Sequence, residues 1–573
     1  MEPQTNLVNL HPTDVAKVVV LGVLQAATLA GFVLLLMTVV DALGATTLGP
    51  TAAAAWRVTL LQLGALALVT VAHSVLRAWE FNVAEKAGYR VVADIRMRMY
   101  RHLQGMMPRQ FQNRSRGGLL LRFTGDLSML RMWISRGLLG GSVALIVLVT
   151  GLLTVLVLNF YIGLTLMGVL AAGAAVSVAS GPTMRRATRA MRRRRSLLTS
   201  NIDEQLNALA VPQVFGRSRG EHARLARQNI SLLRALYRVA ELRGRLRGLA
   251  TGSALLTVVC VLAVGLIEVQ RQTATTGLVV AAIVASRLLA TPVRKLGLAH
   301  DYWHRARVSR QKILDFLRSS SRDLEPPGLE RLVARRPTIE FRNVSVPGAL
   351  EKVTVTARAG RLIGITGPNG SGKSTLLGLV ARLVEPSEGE VVIDGQVLAQ
   401  TTPRSTFRKI GMVSPDLPLM RGTVRRNITY RMRRADPDEL RRVVFAVGLD
   451  RVLAELPQGL ETWLVEGGRN LSFGQRQLIA LARAMIGNPP ILLLDEPTVG
   501  LDDDAKAAVR YAVSHHHGTV LLATQDPADL SLADEVWVLD RGRLTEVIPT
   551  DEYRTRLWQL SRKEDGWTHA AAN

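Results

Sequence analysis

Six long runs of mostly apolar residues fill the first half of the chain, at roughly Val15–Val40, Trp56–Val75, Gly137–Leu158, Tyr161–Ala179, Leu249–Val269 and Thr276–Leu296. About 20 such residues carry a helix across a bilayer, so the pattern predicts six membrane-spanning helices. Arg287 interrupts the sixth run, and Pro292 just beyond it predicts a local break in that helix. Arg287 either snorkels from near a membrane edge or faces a water-filled cavity; the first reading is preferred, and it is not assigned as a substrate ligand. The connections between the runs alternate. Those after the first, third and fifth are short and nearly uncharged, whereas the second-to-third and fourth-to-fifth are long and crowded with arginine. The latter contains Arg185, Arg186, Arg189 and Arg192 through Arg195. Because Lys and Arg are retained on the cytoplasmic side, both long loops and both termini are expected there. The same basic run reads as a solvated helix face that also touches anionic membrane lipid.

Beyond these runs the pattern changes. Ser319 to Pro337 is rich in Ser, Pro and charge and reads as a linker. After it, short apolar runs alternate with helical patterns, as in a soluble α/β domain. The expected organisation is a transmembrane domain at 1–318, a linker at 319–337 and a second domain at 338–573.

Composition sharpens this picture. With 573 residues, the chain is too long for one core. It is 48% hydrophobic, yet its formal net charge is +26. A soluble enzyme rarely combines the two, whereas a membrane protein with basic cytoplasmic loops does so naturally. Nucleic-acid binding is not expected, because the arginines flank apolar spans and lack interleaved aromatics. The single cysteine, Cys260, lies in an apolar run, which excludes an intrachain disulfide and reads as a small packing residue. Met1 to Thr13 has no basic n-region and no small-residue cleavage site, so no cleaved signal peptide is expected.

Chemistry enters in the second domain. Gly367-Pro368-Asn369-Gly370-Ser371-Gly372-Lys373-Ser374 fits the phosphate-binding pattern G-x-x-x-x-G-K-[ST]. It follows Leu362–Ile365, which reads as a buried strand, and precedes Leu376–Val380, which reads as a helix. The glycines let backbone N–H groups turn inward around phosphates, and the helix N-terminus adds a positive dipole end. Further on come Leu471-Ser472-Phe473-Gly474-Gln475 and then an apolar strand ending in Asp495-Glu496.

Phosphate loop, pentapeptide and carboxylate-ended strand, in that order, resemble the nucleotide-binding domain of ABC transporters. Six spans followed by such a domain resemble a half-transporter of the exporter type, and the resemblance covers nearly the whole chain. Gly117–Asp126 looks like the first cytoplasmic loop of that family; Glu204–Leu206 with Val214–Gly216 looks like the second. In the family these loops end in short coupling helices that press on the ATPase domains.

The resemblance implies ATP and Mg²⁺ as cofactors. Gly367, Asn369, Gly370, Ser371, Gly372, Lys373, Ser374 and Thr375 are expected around the phosphates, with Lys373 meeting the β- and γ-phosphates. Ser374 and Asp495 are expected to hold the metal, and Glu496 to polarise the attacking water as general base. Ser472, Gly474 and Gln475 open a helix expected to face ATP held by a partner subunit. Phe473 replaces the usual glycine there. Asp502 matches the loop that crosses between the two ATPase domains.

Three departures stand out. Gln525 occupies the position of a usual histidine, and an amide carries neither a proton nor a positive charge. Loss of such a group costs on the order of 10²–10⁴ in rate. Pro415 replaces the glutamine of the loop that senses Mg²⁺ and water, leaving Asp416 as a substitute metal-shell ligand. Where an aromatic is expected to stack on adenine, the chain offers only Phe341, which reads as strand core. All three lie in the chain's own pocket, whereas the surface it lends to a partner is largely kept. This asymmetry resembles heterodimeric exporters with one weak and one competent ATP site, with this chain as the weak half; drift in a homodimer is the alternative.

The implied cycle is closure of the paired ATPase domains on ATP, outward opening of the cavity, and reset by hydrolysis. The expected function is export of a hydrophobic or amphipathic substrate, such as a lipid, drug or peptide, from a bacterial plasma (inner) membrane. The alternatives are an exporter-shaped importer, for instance of a siderophore, and an ATP-gated regulatory module that does not pump. A soluble DNA-repair ATPase shares the motifs, but the six spans argue against it.

Overall fold

The fold is taken from a computed structural model, which describes residues 7–45, 52–107, 116–319, 321, 326, 328–432 and 434–556. The chain's two ends, whose cytoplasmic placement is expected above, lie partly outside the described residues. So do the start of the segment read for a signal peptide and residues 320, 322–325 and 327 of the expected linker.

The described residues form two compact units. One comprises those up to Arg101 together with Arg116–Ser319; the other comprises His102–Met107 and those after Ser319.

The first unit is all helical. Its main elements are α1 (Pro12–Ala45), α2 (Ala52–Gln104), α3 (Arg116–Leu121), α4 (Leu127–Met132), α5 (Gly140–Leu158), α6 (Phe160–Asn207), α7 (Ala210–Val214), α8 (Ser218–Gln270) and α9 (Thr276–Leu317). Six helical segments among the described residues are long and apolar enough to cross a membrane, and they coincide with the six apolar runs. Several far exceed what a bilayer needs: α2 and α8 have 53 residues each, about 80 Å at 1.5 Å per residue. The arginine-rich sequence therefore continues the helices instead of forming loops.

The expected break at Pro292 does not occur. Helix α9 runs unbroken from Thr276 to Leu317 with Pro292 inside it and buried. Proline is tolerated in spanning helices where neighbours hold the segment, and Leu289 beside it is also fully buried. Arg287 is exposed on this chain.

At the short connections, polar side chains tie the spans together. Asn159 caps α6 by accepting the Ile162 N–H at 3.0 Å, and its amide donates to buried Glu268 at 3.1 Å. Thr273 also donates to Glu268, at 2.8 Å. Asp41 near the end of α1 accepts the Thr275 hydroxyl and the Gly277 N–H at the start of α9. A side chain at Gly277 would lie 2.3 Å from the Met37 carbonyl, so only glycine allows this approach.

The second unit is α/β. A six-stranded sheet has the order β12-β11-β3-β10-β9-β6, and a four-stranded sheet has the order β2-β1-β4-β5. The first of these contains β3 (Leu362–Thr366), β6 (Ile410–Val413), β9 (Ile491–Asp495), β10 (Thr519–Ala523), β11 (Glu535–Asp540) and β12 (Arg543–Pro549). All neighbours in it are parallel except the β11–β12 edge pair. The second contains β1 (Ile339–Val346), β2 (Leu350–Ala357), β4 (Glu388–Ile393) and β5 (Gln396–Val397), all antiparallel. The inner positions of the parallel strands are apolar because both faces are covered, with Thr366, Asp495, Thr519 and Glu535 only at strand ends. Leu492 and Leu494 face one core with Leu522, whereas Leu493 faces the other with Ile363, Ile365 and Leu521. The carboxyl ends of β3, β10 and β9 thus stand side by side on a rigid platform, the edge at which open α/β sheets bind ligands.

Candidate functional site

The phosphate loop leaves the end of β3 and enters helix α10 (Lys373–Val380). Its glycines are sterically required. Gly367 has φ +146°, and a Cβ there would lie 2.0 Å from the Leu539 carbonyl; at Gly372 (φ +105°) it would lie 2.6 Å from that of Ala349. Gly370 (φ +83°) faces open space. Helix α10 starts without a side-chain cap at Gly372. The Lys373 ammonium curls back to donate to the Gly367 and Pro368 carbonyls at 2.7 and 3.0 Å. The Ser371 hydroxyl is buried without a hydrogen-bond partner. A buried hydroxyl left unpaired beside a lysine and a glycine cradle fits a phosphate group.

Asp495 ends β9, is 5% exposed, and accepts a hydrogen bond from Ser374. Burial pushes its carboxyl above the ordinary value, the Ser374 contact and the Lys373 charge pull it down, and the charge of Asp416 pushes it up again. Two hard oxygen donors, one hydroxyl and one carboxylate, with a second carboxylate within electrostatic reach, fit Mg²⁺, which usually takes one or two protein oxygens and completes its shell with phosphate and water. Among the described residues there is no group of three or more His, Cys, Asp or Glu that would suit a metal ion by itself.

Glu496 has a left-handed backbone, φ +50°, unusual for a residue other than glycine. Two contacts hold it: its N–H donates to the Ala523 carbonyl at 2.9 Å, and its carbonyl accepts from Gln477 at 3.1 Å. Burial raises its carboxyl above the ordinary value; Lys373 lowers it, Asp495 raises it and a backbone N–H of Gln525 lowers it. Strain at such a position is common where a side chain must be aimed at a ligand.

Gln525, just past β10, donates from its amide to the Asn369 side chain at 2.7 Å. The fold thus brings together Asn369, Ser371, Lys373, Ser374, Asp495, Glu496 and Gln525. Pro415 and Asp416 form an exposed turn after β6, closed by the Asp416 N–H to the Ser414 hydroxyl. Phe341 is 1% exposed and packs edge-on against Trp537 at 6.2 Å, so it is core and not a stacking platform.

The pentapeptide opens helix α15 (Phe473–Met485) with a capping box: Ser472 accepts the Gln475 N–H, and the Gln475 side chain accepts the Ser472 N–H. Phe473 is 52% exposed and lies over Gly500, where a Cβ would be 2.6 Å from its ring. The Arg476 guanidinium sits above the same ring, 5.7 Å from its centre. Gly474 approaches the Gly500 carbonyl closely, with 3.2 Å left for a Cβ. Asp502 caps the next helix, α16 (Asp503–Ser514), by accepting the Ala505 N–H at 2.7 Å.

Sequence reading did not single out Gln477 or Arg510. Arg510 bridges Asp526 and Asp529, and Asp529 accepts from Thr498. The network pins the segments after β9 and β10 to each other. The signal is weak, because these contacts join residues 16 to 31 positions apart.

Two family models match the chain, one for the ABC transporter transmembrane region over residues 15–293 and one for the ABC transporter over residues 350–499. An ATP-dependent lipid A-core flippase of Desulfotalea psychrophila is 26% identical over 475 residues, spanning 81% of this chain and 82% of the flippase. A multidrug efflux ATP-binding/permease protein of Mycobacterium bovis is 30% identical over 470 residues, which span 80% of this chain but 39% of that protein. Among solved structures, a bacterial Atm1-family ABC exporter with ATP bound matches with a TM-score of 0.80 and 23% identity, over 95% of this chain and 96% of that one. That identity speaks for the fold alone.

Proposed function

The chain is an ABC half-transporter of the exporter type, with fused transmembrane and nucleotide-binding domains, and from that premise we propose that it exports an amphipathic substrate as the weakly hydrolysing half of a heterodimer. It is a multi-pass membrane protein and an ABC-type ATPase that binds ATP. The finer reading rests on one contact. The Gln525 amide, standing where the family carries a histidine, is engaged with Asn369 at 2.7 Å. It holds the loop in place but offers the γ-phosphate neither proton nor charge.

The roles follow from the site. Lys373 leaves its two carbonyl partners to meet the β- and γ-phosphates, and Ser371 gains the partner its buried hydroxyl lacks. Ser374 and Asp495, with Asp416 nearby, would hold Mg²⁺, which when bound neutralises phosphate charge. Glu496 accepts a proton from the attacking water, held in aim by Ala523 and Gln477. Without a cationic group at 525, charge building on the γ-phosphate is poorly stabilised, and ATP stays bound long. Ser472 and Gly474 complete the partner's pocket, where turnover is fast. The membrane is the bacterial inner membrane, with both termini in the cytoplasm, in keeping with the basic helix extensions.

Similarity to a lipid A-core flippase and to a multidrug efflux protein supports a lipid-like or drug-like cargo. The test is transport into inside-out vesicles carrying the chain and its partner. Accumulation of a fluorescent lipid or dye with ATP, and none with a non-hydrolysable analogue, is expected. ATP-independent flux would favour a regulatory module, and ATP-driven loss from the vesicles an importer.

A further inference from the structure

The second unit holds a concave site that the ATPase cycle does not use. A cavity of about 520 Å³ lies at the amino ends of β6, β9 and β10, opposite the edge that carries the phosphate loop. Its volume falls within the range of small-molecule pockets, about 300–1,000 Å³. Arg335, Arg336, Arg408, Lys409, Arg431 and His517 line it. No carboxylate lines it among the described residues. Five permanent positive charges in one concavity repel one another unless an anion joins them.

Arg431 gives the second, independent sign. Its Nη2 donates to the Arg408 carbonyl at 3.2 Å, but its Nη1 is buried with no hydrogen-bond partner. A buried guanidinium nitrogen left unpaired is costly, and an oxyanion is its natural partner. Glu439 offsets part of its charge, and that carboxylate accepts the Gly487 N–H at 2.7 Å. The wall beside Arg431 is shaped for close approach: Gly487 and Asn488 both have left-handed backbones, and Gly518 sits under the Pro490 carbonyl with only 2.5 Å left for a Cβ.

We propose that this cavity is a second anion site, separate from the phosphate loop, which takes a small soluble molecule carrying two or more phosphate groups. Arginine forks pair with phosphate oxygens two at a time, and several forks around one concavity select clustered phosphates over a single charge. Strands β6, β9 and β10 run from this site to Asp416, Asp495 and Gln525, so occupancy at one edge and hydrolysis at the other share the same rigid elements.

The test uses the full chain in nanodiscs of zwitterionic lipid, titrated calorimetrically with tripolyphosphate. The Lys373→Ala variant should keep one binding site. Adding Arg335→Ala and Arg408→Ala, both at exposed positions, should weaken that site at least about tenfold. In the otherwise native chain the same pair should reduce two sites to one, a result that does not depend on the Lys373 variant folding. Loss of all binding with Lys373→Ala in a folded protein, or no effect of the arginine pair, would overturn the proposal. Short-chain phosphatidylglycerol or a DNA duplex displacing tripolyphosphate from the second site at lower concentration would also overturn it, in favour of a lipid headgroup or nucleic acid.

Discussion

At residue 525 a neutral amide is bonded to Asn369, and the proposed weak hydrolysis rests on its lack of charge. Replacing it tests this reading at the smallest scale. Gln525→His should raise the chain's single-turnover ATP hydrolysis about a hundredfold or more, within the roughly 10²–10⁴ that such a group supplies; rapid-quench measurement on the purified chain checks it. Acidity offers a second handle. Burial lifts the Glu496 carboxyl above its ordinary 4.5, and only the ionised form is a base. Activity is therefore present above the raised value and lost as pH falls through it, so the acid limb of the pH–rate profile should lie above pH 4.5 and vanish in Glu496→Gln. Residues defined by spacing, such as Lys373, Asp495 and Glu496, were legible in the sequence because strand and loop geometry fix where they point. Their supports were not. Gln477 under Glu496, and Gly500 under Phe473, meet only after the chain has folded, and no local pattern announces such pairs. The Phe473 departure gains a physical reason in this way: its ring covers a glycine that leaves room for it.

The elements were read more fully than their details. Apolar runs of about 20 residues located the six candidate spanning helices among the described residues, because in a bilayer the backbone has no alternative but to bond within the helix. The arginine-rich connections are continuous with the spanning helices, which agrees with reading the basic run as a solvated helix face; what the pattern does not give is the helix length, since a solvated helix leaves no apolar stripe to detect. Pro292 was misjudged as a break because its local effect is overridden by packing that only the folded bundle provides. One polar tie between helices carries a test. Asn159→Leu removes the cap of α6 and a donor to buried Glu268, which keeps Thr273 and Arg271. The expected cost is about 1–3 kcal/mol, read as a lower thermal midpoint in detergent. A variant that also replaces Glu268 with Gln should recover part of it.

At the scale of the whole molecule, a net charge of +26 on a hydrophobic chain was the first sign of its class, and the folded chain separates the two properties along its length. The spans hold the apolar residues. The long helix extensions and one cavity of the nucleotide-binding unit hold many of the arginines. In the proposed reading a complete ATP site takes two chains. Helix α15 is built and capped, and the phosphate it would serve belongs to a partner. The sequence therefore spoke to the family, whereas the partner's identity and the cargo depend on surfaces that no motif within one chain records.

The most direct measurement is steady-state ATP hydrolysis by the chain purified alone and again with a co-expressed second half-transporter that carries histidine at the position of Gln525. The account predicts that the lone chain retains ATP with little turnover, and that the pair hydrolyses rapidly and is disabled by Ser472→Ala in this chain but only mildly affected by Glu496→Gln. Rapid hydrolysis by the lone chain, abolished by Glu496→Gln, would contradict it.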